Sequence, residues 1–307
     1  MSSPFTASGN RFIQWIAIPA VFLAYAGYLA VDRDDVFKRN RQEIYAAKLE
    51  RLTHEERKVT GLILGGSNAY FSLSAKMLSE ADGENWYNFA LLNEAYSEAN
   101  YRRAIEGVFA GDDDRLAVKR VIYSSLLPLR AASISDFVNE RNDLDLRGGS
   151  LSIVQLRPQM PLYLFARTRL AGGTDASTEF ESMPDRWGDL DFATEHCKAE
   201  VLRHESRRED PVAVLGFFDE TSRYLKAEFP NAEIFVVVPS DYISDATAYA
   251  AWSAALEALR AQRDTQPYTL IFQPPIPDSK DLCSLTHHTN AIGREWRTRD
   301  LIARMAG

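Results

Sequence analysis

The chain has 307 residues, 46 % of them apolar and 25 % charged, an ordinary globular composition with ample material for a core. Its formal net charge of −8 argues against nucleic acid as the main partner, because phosphate binding needs a basic face. Two cysteines, Cys197 and Cys283, permit one disulfide but no disulfide framework, and C-x-x-C metal spacing is absent.

The first element in chain order is FIQWIAIPAVFLAYAGYLAV, residues 12–31, twenty residues without a charge. At about 1.5 Å per residue it spans about 30 Å, the thickness of a bilayer's hydrocarbon core. Trp15, Tyr25 and Tyr28 suit the two interfaces. We expect a single-pass membrane anchor over residues 1–33, in contact with lipid through residues 12–31. A cleaved signal peptide, with Ala24-Tyr25-Ala26 as its small-residue site, and a buried core helix are the competing readings. Arg11 alone precedes the span, whereas Arg33, Lys38, Arg39 and Arg41 follow it, a count that leans towards a cytoplasmic C-terminal domain. Residues 34–58 are charged and helix-prone, with Val36, Phe37, Ile44, Tyr45, Leu49 and Leu52 at roughly helical spacing. They read as a juxtamembrane stalk, a solvated connector rather than a packing helix.

Residues 59–307 then alternate strand and helix. VTGLILGG (59–66) is an apolar run closed by glycines, a buried strand. SNAYFSLSAKMLSEA (67–81) turns into a helix, and NWYNFALL (85–92) is a second strand. A helix over 93–109 is broken by GDDDR, and a third strand lies around 120–126. Residues 210–229 are helical, AEIFVVVPS (232–240) is the clearest strand, and 246–262 is an alanine-rich helix. YTLIFQPP (268–275) is the last strand and NAIGREWRTRDLIARM (290–305) the last helix. Such alternation means an α/β domain, a mostly parallel sheet with helices on both faces in three layers. Residues 131–209 break the pattern and read as an insertion covering one edge of the site.

Ligands of parallel α/β sheets bind outside the carboxyl ends of the strands. Gly65-Gly66-Ser67-Asn68 sits there, on a tight strand-to-helix turn. Glycine lets the backbone bend and approach a substrate closely, and helix N–H groups suit a developing oxyanion. A serine there needs a base to become nucleophilic. Two of the five histidines, His287 and His288, stand before the last helix, and either is a candidate. Neither G-x-G-x-x-G nor G-x-x-x-x-G-K is present. Adjacent histidines rarely point at one ion and no carboxylate cluster accompanies them, so no metal and no cofactor is expected.

GLILGGSNAYFSLSA, then NFALLNEAY, and finally HTNAIGREWRT together resemble the SGNH (GDSL-like) hydrolase superfamily, and more narrowly its membrane-anchored members found with bacterial surface polysaccharide. The resemblance implies a flavodoxin-like sheet, Ser67 as nucleophile and His288 rather than His287 as base, with Asn290, Gly293, Arg297 and Thr298 completing the C-terminal motif. It places an acid three or four residues before the histidine. Those positions hold Leu285 and Ser284 here, and Asp281 is the nearest acid. The family's oxyanion glycine and asparagine have no clear counterpart. Gly66, Asn68 and Asn93 are the candidates for oxyanion and substrate contacts, and Ser124, Ser125 and Arg130 follow the third strand. The implied function is an esterase or O-acyltransferase acting on acyl, chiefly acetyl, esters of a polysaccharide. The implied setting is the periplasmic side of the cytoplasmic membrane, beside partner proteins of an envelope polysaccharide system. The alternative is an inactive scaffold or glycan-binding subunit of the same fold. Cys197 and Cys283 pair if the domain lies in an oxidising compartment; otherwise Cys283 is a buried apolar residue.

Overall fold

A computed structural model describes residues 33–54, 58–92, most of 102–126, 184–192, 210–239, 246–262, 267–276, 279–283 and 285–306, with side chains from residue 43 onwards. The chain divides into two units, Met1–Arg41 and Gln42–Gly307. Among the described residues no helix is long and apolar enough to cross a membrane. The apolar run 12–31 lies outside them, as do residues 93–101 and most of 131–209.

Helix α1 (Arg33–His54) leads to strand β1 (Gly61–Gly65), helices α2 (Ser67–Ser72) and α3 (Ala75–Asp82), and strand β2 (Trp86–Asn88). Helix α4 (Asp112–Ala117), strand β3 (Arg120–Ser124), helix α5 (Pro211–Glu228), strand β4 (Glu233–Val238), helix α6 (Ala246–Ala261) and strand β5 (Thr269–Phe272) follow. A short hairpin, β6 (Leu282–Cys283) and β7 (Leu285–Thr289), precedes the last helix, α7 (Ala291–Ala306). The five main strands form one parallel sheet in the order β2-β1-β3-β4-β5. This is the doubly wound order with a switch point between β1 and β3, and its strands are parallel, as the alternation predicts.

Side chains alternate strictly between two buried clusters. Leu62, Leu64, Val121, Tyr123, Ile234, Val236, Val238 and Leu270 join α5 and Leu256 of α6 on one face. Ile63, Ile122, Phe235, Val237 and Ile271 join α2, α3 and Leu301 of α7 on the other. Because both faces are covered, each strand reads as an unbroken apolar run, with no polar alternation to expose it.

Three expectations need correction. The helix read over 67–81 is two helices broken at Leu73 and Ser74. Ser74 caps α3 by accepting the Met77 N–H at 3.2 Å, a local bond that outcompetes helix continuation. Strand β2 is shorter than 85–92, although Phe89 N–H and Leu91 N–H still bond the Ile63 and Gly65 carbonyls at 2.8 and 3.0 Å. The segment read as a solvated stalk is buried in its second half. Ile44 lies in one cluster and Leu52 in the other, so α1 crosses the sheet edge beside β2. Lys48, midway along this stripe, is fully buried. Its ammonium donates to the outward carbonyls of Asn88 (2.9 Å) and Ala90 (2.6 Å) and sits 3.9 Å over the Tyr70 ring. On the same edge Asn88 N–H bonds the carbonyl of Trp187, from the described piece of the insertion. An unpaired strand edge is thereby closed by a side chain and a loop.

Burial drives the Lys48 pKa well below the ordinary lysine value, against the opposing pull of Asp189 and Asp185. Below the unfolded value of about 10.4 the unfolded chain binds the proton more readily than the native one, so this residue's share of stability rises with pH across that window. Urea denaturation of wild type and Lys48→Met between neutral pH and about pH 10 is expected to show a pH-dependent increment in wild type that the variant lacks. Parallel pH profiles would contradict this account.

Candidate functional site

Ser67 follows the turn at the carboxyl end of β1. Gly65 has φ +137°, and a Cβ there would overlap the Ser124 carbonyl oxygen, so only glycine fits. Gly66 N–H bonds that same oxygen at 3.2 Å and its carbonyl begins α2 by accepting from Ala69 and Tyr70. The chain is thus tied to β3 immediately before the serine. Ser67 is 9 % exposed, and its hydroxyl makes no hydrogen bond among the described residues. Asn68 is fully buried and donates from Nδ2 to Ser124 Oγ at 2.9 Å. It braces the switch point from within, where the sequence offers it as a substrate contact. Asn93, the other candidate, lies outside the described residues.

The last hairpin and helix dock on α2 and α3. Thr289 Oγ1 donates to the Phe71 carbonyl at 3.0 Å, and Ser74 N–H donates to Thr298 Oγ1 at 3.1 Å. Asn290 caps α7, its Oδ1 accepting from Ile292 and Gly293 N–H at 3.0 and 3.1 Å. A Cβ on Gly293 would overlap the Asp281 carbonyl oxygen, so the glycine permits the close approach of α7 to the turn before the hairpin. Arg297, 1 % exposed, donates from Nε and Nη2 to Gln273 Oε1 at 3.1 and 2.9 Å, beyond β5. Asn290, Arg297 and Thr298 of the C-terminal motif therefore each have a structural task.

That histidine, His288, is 3 % exposed, and its ring lies face to face on Phe71 with centroids 4.1 Å apart and planes 4° from parallel. Phe71 is four residues after Ser67 in α2, so the fold brings His288 to the helix that the candidate nucleophile begins. No hydrogen bond joins Ser67 to His288 among the described residues. Strand β7 carries His287 too, but its side chain lies outside the described residues. Asp281 sits in a short 3-10 turn before the hairpin, its carbonyl accepting from Asn290 N–H at 2.9 Å. The register pairs Leu282 with Thr289, which returns Asp281 to the end of the strand that holds His288 despite seven residues of separation. Its Oδ1 is buried with no hydrogen-bond partner, and no bond joins it to His288, among the described residues. Cys283 is fully buried and disulfide-bonded; the chain's one other cysteine, Cys197, lies outside the described residues. No group of His, Cys, Asp and Glu among the described residues is placed to hold a metal.

Behind the serine lies a polar centre that the sequence did not reveal. Asp189, 1 % exposed, accepts from Ser74 Oγ (2.7 Å), Ala75 N–H (2.8 Å), Lys76 N–H (3.1 Å) and Asn88 Nδ2 (3.1 Å). One carboxylate from the insertion thus satisfies the start of α3 and fastens it to β2. Its loop is shaped by Asp185, which accepts the N–H groups of Trp187 and Asp189 at 2.8 and 3.0 Å. Burial and the nearby Asp189 charge push the Asp185 carboxyl above its usual range. Gly188, at φ +74°, passes too close to the Asn88 carbonyl for a side chain. Arg294 clamps the loop from α7, donating to the Leu190 carbonyl at 2.7 Å and lying 4.4 Å over Phe192.

No family model matches the chain, and no curated protein does. Solved structures similar to it include a family two carbohydrate esterase from Clostridium thermocellum in complex with cellohexaose. That similarity has a TM-score of 0.33 and 9 % identity, over 81 % of this chain and 63 % of that one. Another is an acetyl xylan esterase from the rumen bacterium Butyrivibrio proteoclasticus, with a TM-score of 0.34 and 8 % identity over 80 % and 62 % of the two chains. The chain spans less than two thirds of the length of either.

Asp189→Ala strands four donors at once, two of them the first N–H groups of α3. A loss of about 3–5 kcal/mol in unfolding free energy is expected by urea denaturation. A loss under about 1 kcal/mol would mean that Asp189 does not hold the insertion to the fold.

Proposed function

We propose that the protein is a carbohydrate-directed serine esterase or O-acyltransferase, with Ser67 as nucleophile and His288 as general base. The observation that carries the reading is the position of Ser67. It opens α2 at the carboxyl end of β1, beside the sheet's switch point, with the His288 strand packed on the same helix. Ser67 Oγ attacks the ester carbonyl carbon while its proton passes to His288. The Ser67 backbone N–H faces the oxyanion, and Gly66 keeps the turn open to it. Collapse expels the sugar alkoxide, which takes the proton from His288, and leaves an acyl-serine. Water, or the hydroxyl of another sugar, then gives up a proton to His288 and takes the acyl group, restoring the serine. In this reading Asp281, which the hairpin returns to the end of the histidine strand, is the acid that orients the ring. An acetylated polysaccharide as substrate, and work beside partner proteins of an envelope polysaccharide system, follow the sequence resemblance alone.

The same reading places the α/β unit on the periplasmic side of the cytoplasmic membrane, held by residues 12–31. The disulfide at Cys283 supports this over the lysine and arginine count, because such bonds persist in oxidising compartments. Protein denatured without reduction from intact cells is expected to take up no maleimide, and to take it up at both cysteines after reduction. Labelling of unreduced protein would put the unit in the cytoplasm.

The scaffold reading is favoured by one feature. The chain beside the serine turn presents the buried apolar residues Ala90, Leu91 and Leu92, and β3 ends in Ser124 with Ser125 following it, where the resembled hydrolases carry oxyanion donors. Hydrolysis of 4-nitrophenyl acetate by the full chain separates the two. The esterase predicts a loss of about 10³-fold or more in kcat/KM for Ser67→Ala. Equal rates in wild type and variant would leave only the scaffold.

A further inference from the structure

Resting on the esterase reading, we infer that Phe71 is a positioning residue for His288, its ring a platform that fixes the imidazole plane and steadies the imidazolium formed during attack. The stack has a 4.1 Å centroid separation and a 4° interplanar angle. Aromatic pairs commonly settle offset or edge-on. A parallel contact this close leaves the imidazole little freedom to tilt, so both ring nitrogens stay in one plane parallel to the platform.

The platform is itself tightly held. Phe71 is 1 % exposed, with Tyr70 at 5.9 Å and Phe192 at 6.4 Å, both edge-on. Its carbonyl accepts from Thr289 Oγ1 at 3.0 Å, so one residue holds two successive residues of the histidine strand. Ser67 and Phe71 lie four apart in α2, a spacing that puts side chains on one helix face. One short helix therefore carries the nucleophile in its first turn and the support for its base in the next. When His288 takes the serine proton, the cation develops over the π face of Phe71 in a buried setting, where such contacts are strongest. The edge contact with Phe192, over which Arg294 lies, extends the support to the insertion.

The test uses the full chain, with histidine labelled with carbon-13 for NMR and resonances assigned by His288→Gln. In wild type the His288 ring protons are expected upfield of the other four histidines by ring current, and Phe71→Leu moves them downfield. With 4-nitrophenyl acetate, Phe71→Leu is expected to lower kcat about 10-fold and leave KM within about twofold. Phe71→Tyr, which keeps the ring, restores kcat. Phe71→Met, which fills similar volume without a π face, behaves like Phe71→Leu and stands in for it should that variant unfold. Wild-type kcat in the folded Leu or Met variant overturns the inference, as does a Tyr variant no better than Leu. Ser67→Ala run in parallel separates the two failures. If it retains activity, the esterase reading falls and this inference with it; if it abolishes activity while Phe71→Leu keeps wild-type kcat, only the platform falls.

Discussion

The close approach of Gly65 to the Ser124 carbonyl is the constraint on which the site depends. Parallel strands that send their connections to opposite faces must part at their carboxyl ends, and here β1 parts from β3 within one residue. A side chain at 65 would strike backbone, which cannot yield. The φ of +137° turns the chain out of the sheet plane, Gly66 stays tied to β3, and Ser67 is left at the first residue of a helix. The serine owes its place to backbone geometry, and Asn68 beneath it reinforces that geometry through Ser124.

Around this turn the molecule buries charge as well as apolar surface. Lys48 and Asp189 are fully or almost fully buried, on elements 141 residues apart in sequence, and both converge on Asn88 and its neighbours. Neither is a simple ion pair: Lys48 bonds two backbone carbonyls at the sheet edge, and Asp189 divides its bonds between N–H groups at the start of α3 and the side chains of Ser74 and Asn88. Burying such groups is costly unless every donor and acceptor is met. Lys48 ties α1 to the edge of β2, and Asp189 ties the described piece of the insertion to β2 and α3.

Much of the fold was legible because buried parallel strands announce themselves as apolar runs between helix-period segments. Glu233–Val238 and Thr269–Phe272 fell where EIFVVV and TLIF suggest. The break at Ser74 was hidden, since FSLSA (71–75) keeps an apolar rhythm and the capping bond depends on a serine that also reads as an ordinary helix residue. Lys48 sits at helical spacing between Ile44 and Leu52, a stripe visible in the sequence, yet a lysine in a charged segment signals solvent. Asp189 carried no local signal at all; its partners come from two other segments, 74–76 and Asn88. The C-terminal motif was the most informative stretch. The structure gives Asn290, Gly293, Arg297 and Thr298 jobs in capping and docking. The role of Phe71 lies in a contact between residues 217 apart, beyond any local pattern.

The stripe on α1 also fixes where the folding unit starts. A protein shortened to begin at the first strand would shed Ile44, Lys48 and Leu52 together, baring two carbonyls on the outermost strand and the apolar ground on either side of it. Such an edge recruits a neighbouring molecule's backbone, so the shortened protein would self-associate rather than stay dispersed. The helix that the sequence presents as a tether is, in its second half, the selvedge of the sheet.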